Sequence, residues 1–136
     1  MSYQAYKTAQ TKTESASQTE YRLLAQVTNA LMTAKDNEYS GVQLVEALDW
    51  NRRVWSVFAS DCGAKGNQLP PQLRANIISL SIWVSKHSSK VMRKQAKIDD
   101  LININRTIME GLADQAKLQA QAQAESSAPT TVNSTL

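Results

Sequence analysis

Apolar side chains recur every three or four residues through most of this chain, and the recurrence fails at only a few places. That period marks amphipathic helices that turn one face to a core. Over residues 42–62, Leu44, Ala47, Leu48, Asn51, Trp55, Phe58 and Cys62 share one stripe. Gly63-Ala64-Lys65-Gly66-Asn67 interrupts it, with a glycine where a helix C-cap favours one. A second stripe of Leu73, Ile77, Leu80 and Val84 follows Pro70-Pro71. Proline suits a helix's first turn, where its missing N–H and fixed φ cost little. The short connection predicts an antiparallel helical hairpin. All three Trp, the one Phe and the one Cys fall within it.

The pattern extends in both directions. Upstream, Ser17-Gln18-Thr19-Glu20 reads as a capping box. The helix it opens carries Tyr21, Leu24, Thr28 and Leu31, flanked by Leu23 and Val27, and ends near Lys35. Asp36-Asn37-Glu38 breaks the period, and Ser40 is placed to cap the next helix. Ahead of these, Tyr3, Tyr6 and Ala9 suit a short helical turn in a polar segment. Downstream, Ile98, Leu101, Asn105, Ile108 and Leu112, with Ile102 and Met109 beside them, predict a last helix over 98–116. Asp99 and Asp100 sit in its first turn, where the helix dipole favours anions. The spacing keeps phase from Leu73 to Leu112, so one long helix over 71–116 also satisfies it. A break near 94–97 is preferred, because His87 and Lys94 would otherwise occupy stripe positions. The expected fold is all-α: a small bundle of four to five helices over 1–116, then a disordered polar tail over 117–136. That tail is Ala/Gln and then Ser/Pro/Thr, with too few large apolar residues to offset ordering entropy.

Polar residues on the apolar stripes change this picture. Asn51 lies between Leu48 and Trp55, and Asn105 between Leu101 and Ile108; each precedes an arginine, Arg52 and Arg106. A buried amide without partners costs about 1–3 kcal/mol, so both should be bonded. They either tie helices together through loop backbone, such as the 67–71 turn that Asn67 opens, or hold a partner segment. Arg52 and Arg74 are expected to pair with Glu20, Glu46 or Asp61. There is also a surplus of apolar positions beside the stripes: Leu23, Val27, Trp50, Val54, Ile78 and Ile82. A core of three or four helices need not bury them all, so they are the candidate partner-binding residues.

At 136 residues there is room for one domain, and a net charge of +3 is too mild to imply nucleic acid. The basic residues do concentrate: Lys86, Lys90, Lys94 and Lys97 follow i+4 and i+3 spacing, with Arg93 beside them. Such a face is either solvated or a docking surface for an acidic protein or for RNA phosphates. No aromatic residues are interleaved there to stack bases, so nucleic acid is not the expected partner. One Cys permits no internal disulfide, which fits a reducing compartment. No signal-peptide pattern is present and no apolar run approaches the roughly 18–20 residues of a membrane span, so a cytoplasmic location is expected. One His and one Cys make a poor catalytic dyad, and the chain has no phosphate-binding glycine loop and too few soft ligands for a metal. No catalytic residue, no metal and no cofactor are expected, and the chain reads as a binding protein rather than an enzyme.

Several of these motifs, taken in order, resemble the FlaF family of flagellar biosynthesis regulators. The resemblance runs from Tyr6 to Leu112. It rests on Tyr6, on Glu20 with Leu23-Leu24, and on Leu44-x-x-Ala47-Leu48-x-x-Asn51-Arg52-x-x-Trp55-x-x-Phe58. It continues through Asn67-x-Leu69-Pro70-x-x-Leu73-Arg74, Ile77-Ile78-x-Leu80, Trp83-Val84, Leu101-Ile102-x-Ile104-Asn105-Arg106 and Gly111-Leu112. The long Gln/Ala tail departs from it. The resemblance implies a small cytoplasmic helical protein of flagellated alphaproteobacteria that supports flagellin synthesis and export, with flagellin and the regulator FlbT as partners. Two mechanisms follow. In the first, a helical bundle holds flagellin's amphipathic helices in a groove as an export chaperone. In the alternative, a post-transcriptional regulator acts with FlbT through RNA or protein contacts of the basic helix face.

Overall fold

A computed structural model of the protein describes residues 16–127, which form four α-helices and no strand. They are α1 (Ala16–Asp36), α2 (Gly41–Gly63), α3 (Pro71–Met92) and α4 (Ile98–Ser127). The possible turn at Tyr3 and Tyr6 lies outside the described residues. Short connections make sequential helices antiparallel neighbours. α1 packs most extensively on α4 and α2 on α3; α1 also lies along α2, and α3 meets α4 more lightly. The stripes point inward as the period requires. Leu24, Val27 and Leu31 of α1, Leu48, Trp55 and Phe58 of α2, Ile77 and Val84 of α3, and Leu101, Ile108 and Leu112 of α4 form one continuous core.

The boundaries show which local signals acted. Pro71 opens α3 as its first helical residue after an extended Pro70. Ser40 has the extended backbone of an N-cap before α2, yet its hydroxyl makes no capping bond. Among the described residues α1 begins at Ala16, and Ser17 lies within its range. The chain does break between α3 and α4, at 93–97. There the Lys94 N–H donates to the Val91 carbonyl (3.0 Å) and the Gln95 N–H to the Lys90 carbonyl (2.8 Å), with Lys94 at φ 61°. This paired bonding is a Schellman motif. The same motif ends α1: the Glu38 N–H reaches the Lys35 carbonyl (3.1 Å) and the Tyr39 N–H the Ala34 carbonyl (2.9 Å), with Glu38 at φ 51°. In both, a charged residue holds the left-handed position that glycine fills at least cost.

The end of α4 differs from expectation. The helix does not stop at 116 but continues to Ser127, with residues 121–127 all exposed. The segment has little to bury, but Ala, Gln, Lys, Leu and Glu are strong helix formers, and they propagate a helix already nucleated on the bundle.

Candidate functional site

The two stripe asparagines meet at the centre of the bundle. Asn105 of α4 is fully buried; its Oδ1 accepts from the Trp55 indole N–H (2.8 Å), and its Nδ2 donates to Asn51 Oδ1 (2.8 Å) and Thr28 Oγ1 (3.1 Å). The Thr28 hydroxyl donates back to the Leu24 carbonyl (2.6 Å). The network thus joins α1, α2 and α4. It involves no loop backbone, which corrects the expected bonding of Asn51 and Asn105 to the 67–71 turn. Asn67 instead braces that turn alone: its Nδ2 donates to the Asp61 carbonyl (3.0 Å), and its Oδ1 accepts from the Leu69 N–H (3.0 Å). One donor of the central network, Asn51 Nδ2, is buried without a partner.

A second buried polar site lies where the start of α1 meets the end of α2. Glu20 is buried there, and its pKa is raised to about 7, first by burial and then by the negative charge of Asp61, to whose carboxylate the protonated Glu20 donates. Beside it, the buried Cys62 thiol is pushed up to about 11 by burial and by the Glu20 and Asp61 charges, partly offset by Arg74. The thiol therefore stays protonated and packs as a small core residue. The expected arginine pairings do not form. Arg74 leaves its buried Nε unpartnered, and neither Arg52 nor Arg74 makes an ion pair with Glu20, Glu46 or Asp61. Arg106 lies over α1, with its guanidinium 3.3 Å from Met32 Sδ.

The six surplus apolar residues do not form one groove. Val27 is fully buried in the core, because it stands one turn from Leu24 and Leu31 on α1's inward face; it is no docking residue. The rest divide between two faces. A groove between α2 and α3 is lined by Asp49, Arg52, Arg53 and Ser56 on one side and Ser81 and Ser85 on the other, which fixes the flank of α2 that meets α3. At about 100° per residue, Trp50, Val54 and Val57 fall on the opposite flank, toward α1. On α1, Met32 and Lys35 line a cleft with α4, and so do Gln18 and Tyr21. Leu23 falls on the other side of α1, toward α2. Leu23, Trp50, Val54 and Val57 therefore lie along the α1–α2 seam. Trp50 is 42% exposed and Val57 59%, while Val54 is half-buried against the core and Leu23 is half-buried. Val57 was not among the expected docking residues, although its i+3 step from Val54 is a sufficient signal. Ile78 and Ile82, 39% and 58% exposed, lie on the outward face of α3.

The lysines are also divided. Lys86 and Lys90 belong to α3, but Lys94 and Lys97 fall in the turn beyond its end, so the expected single face of four lysines does not exist. The one histidine closes that end: His87 stacks on Trp83 at 4.4 Å, and its Nε2 lies 3.0 Å from the Asp100 carboxylate. Lys35 pairs with Asp99 at 2.9 Å.

Against known families, residues 2–112 match the family model described as flagellar protein FlaF. The chain belongs to the FlaF family. The match takes in all of α1, α2 and α3, and it stops where α4 leaves the core at Leu112. As a FlaF-family chain it is a flagellar protein, and both the central network and the α1–α2 seam lie within the matched residues. No curated protein and no solved structure matches the chain. Among the described residues, no helix is long and apolar enough to cross a membrane.

Proposed function

We propose that this flagellar protein is a chaperone in which the α1–α2 seam covers an amphipathic helix of flagellin before export. One observation carries the reading. Trp50, Val54 and Val57 place an apolar ridge two turns long on the outside of α2, and Leu23 of α1 forms its other wall. An exposed strip continuous with the core is the surface that helix-in-groove binding uses. Burying what remains open of Trp50 and Val57 contributes on the order of 2–3 kcal/mol, enough to anchor a client that also supplies its own apolar face. Flagellin's terminal helices bury their apolar faces only in the filament, so such cover would limit their aggregation beforehand. The protein acts in this reading by binding and not by catalysis, and FlbT joins as a regulatory partner.

Calorimetry of purified protein with monomeric flagellin tests the reading. Binding is expected at micromolar concentration, and Val57→Asp should weaken it at least about tenfold, since an exposed site accepts the charge in the free protein but not under a client. Absence of heat and of co-elution at tens of micromolar would remove the chaperone assignment.

A further inference from the structure

The outward face of α3 is a second candidate surface, with different chemistry. Ile78, Ile82, Lys86 and Lys90 follow one another at four-residue steps and so form a single ridge along the helix. Its first half is apolar, with Ile82 58% exposed, and its second half is cationic. α3 contains no acidic residue, so nothing on the helix itself answers these charges. Two acids on neighbouring segments already have partners: Asp49, at the groove, pairs with Arg53 at 2.9 Å, and Asp100 lies 3.0 Å from His87. Alongside the ridge runs the α2–α3 groove of about 240 Å³, lined by Ser56, Ser81 and Ser85 hydroxyls, by Arg52, and by Asp49 with Arg53. Arg52 is half-buried there and makes no ion pair with any described residue. A guanidinium so placed, among hydroxyls, is a ready partner for a carboxylate.

We propose that the α3 ridge and the groove beside it bind an acidic amphipathic helix, whose apolar residues rest on Ile78 and Ile82 and whose carboxylates reach Lys86, Lys90 and Arg52. Charge complementarity selects this occupant. A wholly apolar helix would leave the lysines unanswered, and a helix rich in lysine would be repelled. The spacing constrains the partner further. Each four-residue step is about 6 Å of helix, so its acids stand one and two turns beyond its apolar anchors. This surface is distinct from the α1–α2 seam and does not depend on the flagellin reading.

The test uses a fluorescently labelled helical peptide of about 20 residues, long enough to hold helix in water. It carries Leu anchors followed by Glu one and two turns on, and a second peptide has Gln in place of each Glu. Anisotropy with the full-length protein should show the Glu peptide binding about tenfold or more tightly over the Gln peptide, and weakening as salt rises. Lys86→Glu and Arg52→Glu should each cost about fivefold or more, and Ile82→Asp should abolish binding, while Trp50→Ala leaves it unchanged. Circular dichroism confirms that each variant is folded. Equal affinity for the two peptides, or no binding of either at 100-fold excess, would overturn the proposal. So would sensitivity to Trp50→Ala instead of Lys86→Glu, self-association abolished by Ile82→Asp, or preference for an RNA oligonucleotide over the Glu peptide.

Discussion

Replacing Asn105 by Leu tests whether the buried amide network holds the bundle together. The substitution keeps the number and branching of side-chain heavy atoms, with somewhat bulkier methyl groups, and removes the group that accepts from the Trp55 indole and donates to Asn51 and Thr28. Three partners then lose a bond in a site without water access, since Asn51, Trp55 and Asn105 are all fully buried. The orphaned indole N–H alone costs about 1–3 kcal/mol, and the lost bonds to Asn51 and Thr28 bring the expected loss to roughly 3–4 kcal/mol. Asn51→Leu should cost less, by about 1–2 kcal/mol, because Asn51 Nδ2 is already without a partner and its loss costs nothing. The triple change Asn51→Leu, Trp55→Phe and Asn105→Leu should then be less damaging than the sum of its parts, since it leaves fewer orphaned groups. Urea denaturation followed by circular dichroism measures all three. If Asn105→Leu costs under about 1 kcal/mol, or no more than Asn51→Leu, the network is not the organising bond of the core.

Further predictions concern the edges of the bundle. Because Glu20 carries its proton up to about pH 7 in the fold but only to about 4.5 in the open chain, its contribution is complete below pH 4.5 and is lost as pH rises through 7. Glu20→Gln, which mimics the protonated form, should flatten that fall in a urea series from pH 5 to 8 and stabilise the protein at pH 8 by about 1–2 kcal/mol, discounted for partial solvation near Asp61. Lys94→Gly should raise stability by up to about 1 kcal/mol, since glycine adopts the left-handed Schellman position without strain; a fall in melting temperature would contradict the turn described here. Cys62, held protonated up to about pH 11 and buried, should resist iodoacetamide at pH 8 unless urea is added.

What could be read in advance, and what could not, follows from the range of each interaction. The inward stripes of all four helices, the Pro70-Pro71 start and the break before Ile98 are local, and periodicity and turn chemistry exposed them. The Schellman turns at Glu38 and Lys94 were invisible, because a charged residue at a left-handed position carries none of the glycine signal. The extension of α4 is hidden for the opposite reason. Its composition lacks core residues, yet the helix propensity of Ala and Gln on a pre-formed end carries it on. That Asn51 and Asn105 need partners is plain from their stripes, but a sequence shows neither that they lie at one level of the bundle nor that Trp55 joins them. Val27 looks like an outward residue in the sequence because no linear pattern says which flank of α1 faces α4. That same geometry decides the binding surfaces. The six surplus apolar residues resolve into a core residue, a largely apolar seam that ends at Glu20 and Asp61, and a ridge that turns cationic after Ile82. A client that needs only grease can use the first surface, and one that brings carboxylates is suited to the second. If both are used, they accept different helices at once. The protein would then be a junction between two partners, and the seam variant Val57→Asp and the ridge variant Lys86→Glu should each release one partner and retain the other.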